Sequence, residues 1–516
     1  MSGLTVVFAQ LDRPNPVDTP DIAWFSLLPL LVLTVGAVLL VLLSSLMKER
    51  LFRGFHAAFT CVTAGAAIGT AVYVWNRIHD EGPSAAIAGA VAVDRFAVFL
   101  TVVICASVIL AALVSEAYLC REDLDGPEYY VLMLLSAAGG VVMALANDLI
   151  VVFLGLEILS IAAYVMAAMQ RHRTESQEAG LKYFVLGAFS SAFFLYGIAM
   201  VYGATGSTNL SRIATFLAEN VLLSDGVLLL GLVLLLVGLG FKVAAVPFHS
   251  WSPDVYQGAP SPAVSYLASA VKVAAFGSLL RIFVTVFQQW EVDWQPIVYA
   301  LAVASLVVGA VLAAVQTDVK RMMAYSSINH AGFILLGVQA SSDDGTAAAL
   351  FYLAAYAAII AGTFGIITIV SGRRDRLTSV DDFAGLGRRR PALALGFCVL
   401  LFAQAGVPFT SGFFAKFGVI VAAVDARSYW LAVVAMVTAV VSAFVYLRVV
   451  VAMYMADDPE AEGDGDAAPR AKEELPFTAG LGVGLSVAIT LVVGVLPWLV
   501  TEVAKDAVPV LVAVGG

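Results

Sequence analysis

Six ionisable side chains stand where the sequence is otherwise apolar, and their chemistry would be proton transfer. Glu157 lies in Leu154-Gly155-Leu156-Glu157-Ile158-Leu159. An ionised carboxylate there, facing lipid, would cost several kcal/mol or more, so it must face protein or water. Lys242 precedes Pro247 by five residues, Lys272 lies in the next apolar stretch, and Lys416 follows Pro408 by eight among Phe413, Phe414 and Phe417. Burial and a neighbouring like charge both disfavour an ammonium group, so such lysines can take and release protons near physiological pH. A carboxylate such as Glu157 opposes that effect, and moving its charge would switch a lysine between states. His330 is the one histidine predicted near mid-membrane, and Lys182 begins another apolar run.

Each residue also has a plainer reading. Glu157 could be a structural ion pair or a protonated acid bonded to backbone. The lysines could snorkel to a headgroup, which suits Lys182 better than Lys242 or Lys272. A lone histidine fits a helix-packing partner as well as a relay. His249 and Asp254 read best as turn and cap residues.

The elements that hold these residues follow from composition. Of 516 residues, 61% are hydrophobic and 13% charged, against about 25% charged in an ordinary soluble domain. Apolar runs of 18 or more residues recur, each long enough to cross about 30 Å of hydrocarbon as a helix. The predicted spans are 22–47, 55–75, 94–119, 129–146, 148–169, 179–204, 226–247, 261–287, 296–315, 321–340, 346–371, 391–423, 428–456 and 475–500. The expected class is therefore an all-α integral membrane protein of about fourteen transmembrane helices. Alternate loops divide their Lys and Arg sixteen to five, which predicts both termini outside. The first 20 residues lack the pattern of a cleavable signal, so the first helix is expected to stay. Asp457 to Pro469, acidic and rich in Gly and Ala, reads as a disordered inner spacer.

Val246-Pro247-Phe248-His249-Ser250 has a counterpart 161 residues later, Val407-Pro408-Phe409-Thr410-Ser411. Each interrupts an apolar helix. Matching Pro interruptions suit a transporter with repeated halves, its site near the unwound backbone, although two ordinary Pro kinks would look the same.

The sequence contains no GxxxxGK[ST] phosphate loop, no GxGxxG turn and no CxxC pair among Cys61, Cys105, Cys120 and Cys398. Moving a charge against about 150 mV takes roughly 3.5 kcal/mol. That work must come from a partner subunit or a second ion gradient.

The stretch from Lys242 to Pro262, KVAAVPFHSWSPDVYQGAPSP, followed by Lys272, resembles the signature of antiporter-like subunits of respiratory complex I and related cation/proton antiporters. LGLEILSIAAYVM, EAGLKYFVLGAFSSAFFLYG, KRMMAYSSINHAGF and AGVPFTSGFFAKF extend the resemblance over most of the chain. The form PDVYxGAPxP with Lys416 in the twelfth helix is similar to subunit N rather than subunits M and L. The resemblance implies fourteen helices, helices 7 and 12 broken, and two inverted five-helix repeats at 129–287 (helices 4–8) and 296–456 (helices 9–13). These would be flanked by an outer segment 1–21, helices 1–3 at 22–119, an acidic inner loop 457–474, and helix 14 with its tail at 475–516. It implies that Glu157 and Lys242 form a charge-switch pair, that Lys272 and His330 carry protons laterally, and that Lys416 serves the outward exit. Lys182 matches the family's sixth-helix lysine.

The function implied is a non-redox, proton-translocating subunit of a bacterial inner-membrane NADH-quinone oxidoreductase, with no independent catalytic site. FMN, iron-sulfur clusters and quinone would reside in partner subunits, with no cofactor in this chain. Its partners would be other membrane subunits, protons and the lipid bilayer, not nucleic acid. The alternative is a subunit of a Na+/H+ antiporter, disfavoured by the scarcity of mid-membrane carboxylates for a Na+ site. A scaffold with paired charges is harder to sustain, because buried lysines outnumber such carboxylates.

Overall fold

A computed structural model describes residues 22–47, 51–222, 224–456 and 475–512. The predicted N-terminal segment 1–21 and the acidic loop 457–474 lie outside the described residues. With no water in a bilayer core, each apolar run must satisfy its backbone internally, and the chain answers almost wholly with helices.

The helices are α1 (Leu28–Leu46) and α2 (Phe55–Glu81), then a hairpin of β1 (Ser84–Ala86) and β2 (Val91–Val93), then α3 (Arg95–Arg121), α4 (Pro127–Leu145), α5 (Leu149–Ala167) and α6 (Thr174–Thr205). A short amphipathic α7 (Leu210–Glu219) leads to α8 (Gly226–Val243), α9 (Trp251–Gly258) and α10 (Ser261–Val286). The remainder is α11 (Glu291–Ala314), α12 (Val319–Gln339), α13 (Asp343–Val370), α14 (Pro391–Ala405), α15 (Ser411–Asp425), α16 (Tyr429–Met455), α17 (Phe477–Val495) and α18 (Trp498–Asp506).

Among the described residues, twelve helices are long and apolar enough to cross a membrane. The expectation of fourteen crossings requires two more. The candidates are α12, whose 21 residues include Lys320, Arg321, Asn329 and His330, and the interrupted pair α14 and α15. Both predicted interruptions are present: α8 stops at Val243 before α9, and α14 stops at Ala405 before α15. Not predicted were α7, α18, the hairpin and two π-helical stretches within α10, Leu267–Val271 and Leu280–Val286. Polar ends carry several helices beyond their predicted limits, as where α6 begins at Thr174 rather than near 179.

Small residues let the helices close on one another. A Cβ on Gly139 of α4 would stand 2.5 Å from the Leu159 backbone nitrogen of α5, and one on Gly309 of α11 would stand 2.5 Å from that of Asn329 of α12. These close crossings seat the helices bearing Glu157 and His330 in the bundle.

Two local motifs recur at opposite ends of it. Asp148 caps α5, receives the Thr208 hydroxyl at 2.7 Å and bridges Asn209. Asp318 caps α12, receives the Thr378 hydroxyl at 2.5 Å and bridges Ser379. The spacing is 170 residues in both cases, Asp148 to Asp318 and Asn209 to Ser379. Likewise Arg281 of α10 donates to Ala144 O at the end of α4, and Arg448 of α16 donates to Ala314 O at the end of α11. The Asp318 and Arg448 copies lie at the end of the bundle that carries Arg121, Arg173 and Asp375, hereafter the basic face.

Candidate proton-transfer site

Lys242, Lys272, Lys416 and His330 are each no more than 5% exposed. Of the five buried Lys and Arg side chains among the described residues, two have an acid in contact. Arg281 holds Asp94 at 2.8 and 2.9 Å, and Lys320 stands 3.1 Å from Asp375. Lys242, Lys272 and Lys416 form no ion pair and rest on hydroxyls, carbonyls and aromatic rings.

Lys242 occupies the last turn of α8, where the backbone leaves the helix at Ala244 with φ +59°. Its Nζ donates to Ser160 Oγ of α5 at 2.7 Å and to Tyr183 Oη of α6 at 3.2 Å. It also lies 5.3 Å from the ring centre of Tyr164 and 5.0 Å from that of Tyr183. Ser160 donates its own proton to Leu156 O, which fixes its lone pairs toward the lysine. Trp251 holds the break open: its Nε1 donates to Phe241 O at 2.8 Å and its ring stacks on Tyr183 at 4.4 Å. A cavity of about 10 Å³ touches Ser160, Tyr164 and Lys242, space for about one water.

Glu157 lies one turn before Ser160 on α5 and is half-buried, beside the exposed Leu154, Ile158 and Ile161. Its Oε1 is buried without a hydrogen-bond partner. It makes no direct ion pair with Lys242, which bonds instead to Ser160, three residues along the same helix.

Lys272 follows the first π-helical stretch of α10 and donates to both oxygens of Ser327 on α12, Oγ at 2.5 Å and the carbonyl at 2.8 Å. Tyr356 of α13 donates to the same Ser327 Oγ at 2.8 Å, and Tyr256 of α9 stands 3.4 Å from it. His330, one turn along α12, has Nδ1 at 2.6 Å from Tyr352 Oη and Nε2 at 3.3 Å from Tyr446 Oη. Tyr446 is 2.5 Å from Ser326 Oγ, which donates to Gln404 at 3.2 Å. The Tyr356 ring, 4.9 Å from the imidazole, separates His330 from the Lys272 group.

Lys416 of α15 reaches back across the second break to Ala405 O at 3.1 Å and lies 4.8 Å from the Phe333 ring centre. Ala405 is the last residue of α14, so the ammonium meets the negative end of that half-helix.

Lys182 is placed differently. It is 42% exposed, and its Nζ lies 2.6 Å from Glu178 and 2.8 Å from Asp254. Asp254, expected as a turn or cap residue, instead joins three elements by also accepting from Arg321 at 2.8 Å. The structure therefore brings Lys272 and His330 onto one helix neighbourhood, sets Lys242 and Lys416 at the two breaks, and leaves Lys182 at the bundle edge. Sequence reasoning missed Ser160, Ser326, Ser327, Tyr183, Tyr352, Tyr356 and Tyr446. Ser160 lies three residues from Glu157 on α5, and Ser326 and Ser327 lie four and three from His330 on α12, whereas the tyrosines on α6, α13 and α16 carried no such signal.

Residues 146–442 match the family described as NADH:quinone oxidoreductase/Mrp antiporter, transmembrane. The chain is 41% identical to NADH-quinone oxidoreductase subunit N 1 of Solibacter usitatus, over 96% of this chain and 98% of that one. It is 42% identical to NADH-quinone oxidoreductase subunit N of Alkalilimnicola ehrlichii, over 93% and 96%. A chain of respiratory complex I from Thermus thermophilus with bound Aureothin superposes with a TM-score of 0.76 at 32% identity, over 92% of this chain and 99% of that one. A chain of the Mrp complex from a Dietzia species gives 0.79 at 20% identity, over 94% and 97%, a likeness of fold.

Proposed function

The chain belongs to the NADH:quinone oxidoreductase/Mrp antiporter family, as a subunit N of NADH-quinone oxidoreductase, and from that premise we propose that its protons travel along Glu157, Lys242, Lys272, His330 and Lys416. It is a proton-translocating membrane subunit of that complex, partnered by other membrane subunits. The observation that carries the proposed path is the trio of buried lysines without acids. A permanently charged ammonium in such surroundings would be strongly disfavoured. A hydroxyl such as that of Ser327 can instead serve either form of the amine, accepting from it or donating to it.

In this proposal Glu157 and Lys242 form the charge switch. With Glu157 ionised, the ammonium form of Lys242 is favoured; when the negative charge is removed, Lys242 releases its proton. Lys272 accepts it, with Ser327 holding the amine. His330 has one ring nitrogen on each side, bonded toward Tyr352 and Tyr446, so it can receive at one and release at the other. Lys416 completes the row, its side chain against the Phe333 ring three residues along α12 from His330. Lys182, already matched by Glu178 and Asp254, is the rim member that meets protons arriving from the basic face.

We take the basic face as cytoplasmic by its surplus of Lys and Arg, in a bacterial inner membrane, with both termini outside. The matched bridges and arginine caps at opposite ends support two inverted repeats, α4 to α10 and α11 to α16. The redox steps belong in this reading to partner subunits that carry FMN, iron-sulfur clusters and quinone. The four free cysteines here are dispersed, and no cluster of His, Cys, Asp or Glu suited to a metal occurs among the described residues. No independent catalytic site is assigned to this chain.

The test is Lys242→Ala in membrane vesicles, with NADH-driven quinone reduction and proton uptake assayed together. Loss of uptake with the complex assembled supports the path. Unchanged NADH-driven rates with loss of Na+/H+ exchange would overturn it in favour of an antiporter.

A further inference from the structure

Between Lys242 and Lys272 the proposed path has a gap. Lys242 bonds to Ser160 and Tyr183, Lys272 bonds to Ser327, and among the described residues no hydrogen bond joins the two groups. The element packed against both α6, which carries Tyr183, and α12, which carries Ser327, is α9, the short helix after the first break. Its Trp251 stacks on Tyr183 at 4.4 Å, and its Tyr256 stands edge-on to Trp251 at 6.4 Å. Phe364 of α13 packs on the Tyr256 ring at 5.8 Å. Three aromatic rings thus hold α9 in place between the two lysine groups.

The hydroxyls on α9 fit that gap by their hydrogen-bond count. Ser327 Oγ accepts from Lys272 Nζ at 2.5 Å and from Tyr356 Oη at 2.8 Å. A hydroxyl oxygen has two acceptor positions and one proton, so Ser327 still has its proton to give, and Tyr256 Oη stands 3.4 Å away to take it. Tyr256 is then left with its own proton to direct elsewhere. One turn back along the same face of α9 lies Ser252, fully buried, whose Oγ has no hydrogen-bond partner. Buried polar atoms are nearly always paired, and a serine held by no bond is free to change rotamer. At the other end of the gap Lys242 donates to the fully buried Tyr183 Oη, which leaves the Tyr183 proton to be donated onward.

We propose that Ser252 and Tyr256 relay the proton from Lys242 to Lys272, a step that deepens the path proposed above and rests on it. The Lys242 ammonium gives one N–H proton to the Tyr183 oxygen, and Tyr183 gives its own to Ser252. Ser252 passes one to Tyr256, Tyr256 one to Ser327, and Ser327 one to the Lys272 amine. Each oxygen gains one proton and gives up one, so none is left charged; Lys242 ends as the neutral amine and Lys272 as the ammonium. The arrangement around Lys272, with an N–H directed at Ser327 and the Ser327 proton directed at Tyr256, is the one that such an arrival leaves behind.

The test is NADH-driven proton uptake by the assembled complex in membrane vesicles, in H2O and in D2O, for Tyr256→Phe and Ser252→Ala. Tyr256→Phe keeps the ring against Trp251 and Phe364 and should lower uptake about tenfold or more, as expected when a positioned proton-transfer group is lost. Its solvent isotope effect should exceed that of the parent, because proton transfer then limits the rate. Ser252→Ala removes an oxygen that holds no partner and should lower uptake several-fold with the same rise in isotope effect. Tyr130→Phe on α4, which removes another buried hydroxyl without a partner, should match the parent. Parent-like uptake in Tyr256→Phe or Ser252→Ala, a loss without any rise in isotope effect, or an equal loss in Tyr130→Phe would each overturn the relay. Lys242→Ala separates the two readings: uptake lost there but kept in Tyr256→Phe overturns the relay alone, whereas uptake kept in Lys242→Ala overturns the path and the relay with it. Should Tyr256→Phe not assemble, Ser252→Ala decides.

Discussion

Lys272 of α10 is bonded to both oxygens of Ser327 on α12, at 2.5 and 2.8 Å. The two residues come from different predicted repeats, so this contact joins the halves of the chain through one side chain. Ser327 is also the acceptor for Tyr356. Whatever moves Lys272 therefore disturbs the hydroxyl beside the aromatic ring that packs on His330.

Ser327→Ala should separate holding from carrying. The backbone carbonyl of residue 327 would still accept from Lys272, so assembly should survive. Loss of one hydrogen bond to a charged donor corresponds to about tenfold in a rate that depends on it. NADH-driven proton uptake should fall by up to that factor, while Ser327→Thr, which keeps the hydroxyl, should retain most of it. Equal uptake in the Ala and Thr variants would remove Ser327 from the path.

Glu157 offers the opposite contrast. Its buried Oε1 has no partner, so Glu157→Gln sacrifices no hydrogen bond to that atom. Thermal stability of the assembled subunit should change by no more than about 0.5 kcal/mol, whereas proton uptake should drop by an order of magnitude or more because the charge that switches Lys242 is gone. A variant that melts earlier yet pumps normally would mark Glu157 as structural.

The charged members of this arrangement were legible in the sequence because a Lys or Glu inside an apolar run has few reasons to be there. The breaks beside Lys242 and Lys416 were legible for a similar reason, since Pro247 and Pro408 cannot continue a helix's hydrogen bonding. Ser160, Ser327 and Tyr446 were not, because hydroxyls are ordinary in membrane helices and only tertiary contact singles them out. The π-helical turns on either side of Lys272 leave no mark in hydropathy at all. Asp254 was misread for want of its partners: Lys182 and Arg321 are 72 and 67 residues away.

Asp375 carries a prediction about pH. Burial alone would raise its pKa, but Lys320 and Arg173 outweigh that and hold it below the usual carboxylate range. A depressed folded-state pKa contributes stability that is present above the unfolded value and lost as pH falls through the folded one. The contribution should therefore be constant from pH 8 to about 5 and shrink only below about 4. Asp375→Asn, which leaves Lys320 buried without its acid, should destabilise by about 3–5 kcal/mol at neutral pH. The check is release of this subunit from the heated complex, compared across pH with Asp375→Asn and with Lys320→Met/Asp375→Asn, the double change restoring much of the loss.

Gly406 tests the second break. Its φ of +90° is one that L side chains rarely adopt, and a Cβ there would come within 3.1 Å of Lys416 Cδ. Gly406→Ala thus strains the turn by about 1 kcal/mol or more and presses on the lysine that reaches back to Ala405 O. Assembly at reduced temperature should persist, with proton uptake lowered several-fold. The discriminating control is Gly484→Ala on α17, where an added Cβ meets nothing within 4 Å and uptake should match the parent. If Gly406→Ala also matched it, the position of Lys416 against the end of α14 would not govern transfer, and the outward step would have to be sought elsewhere along the row.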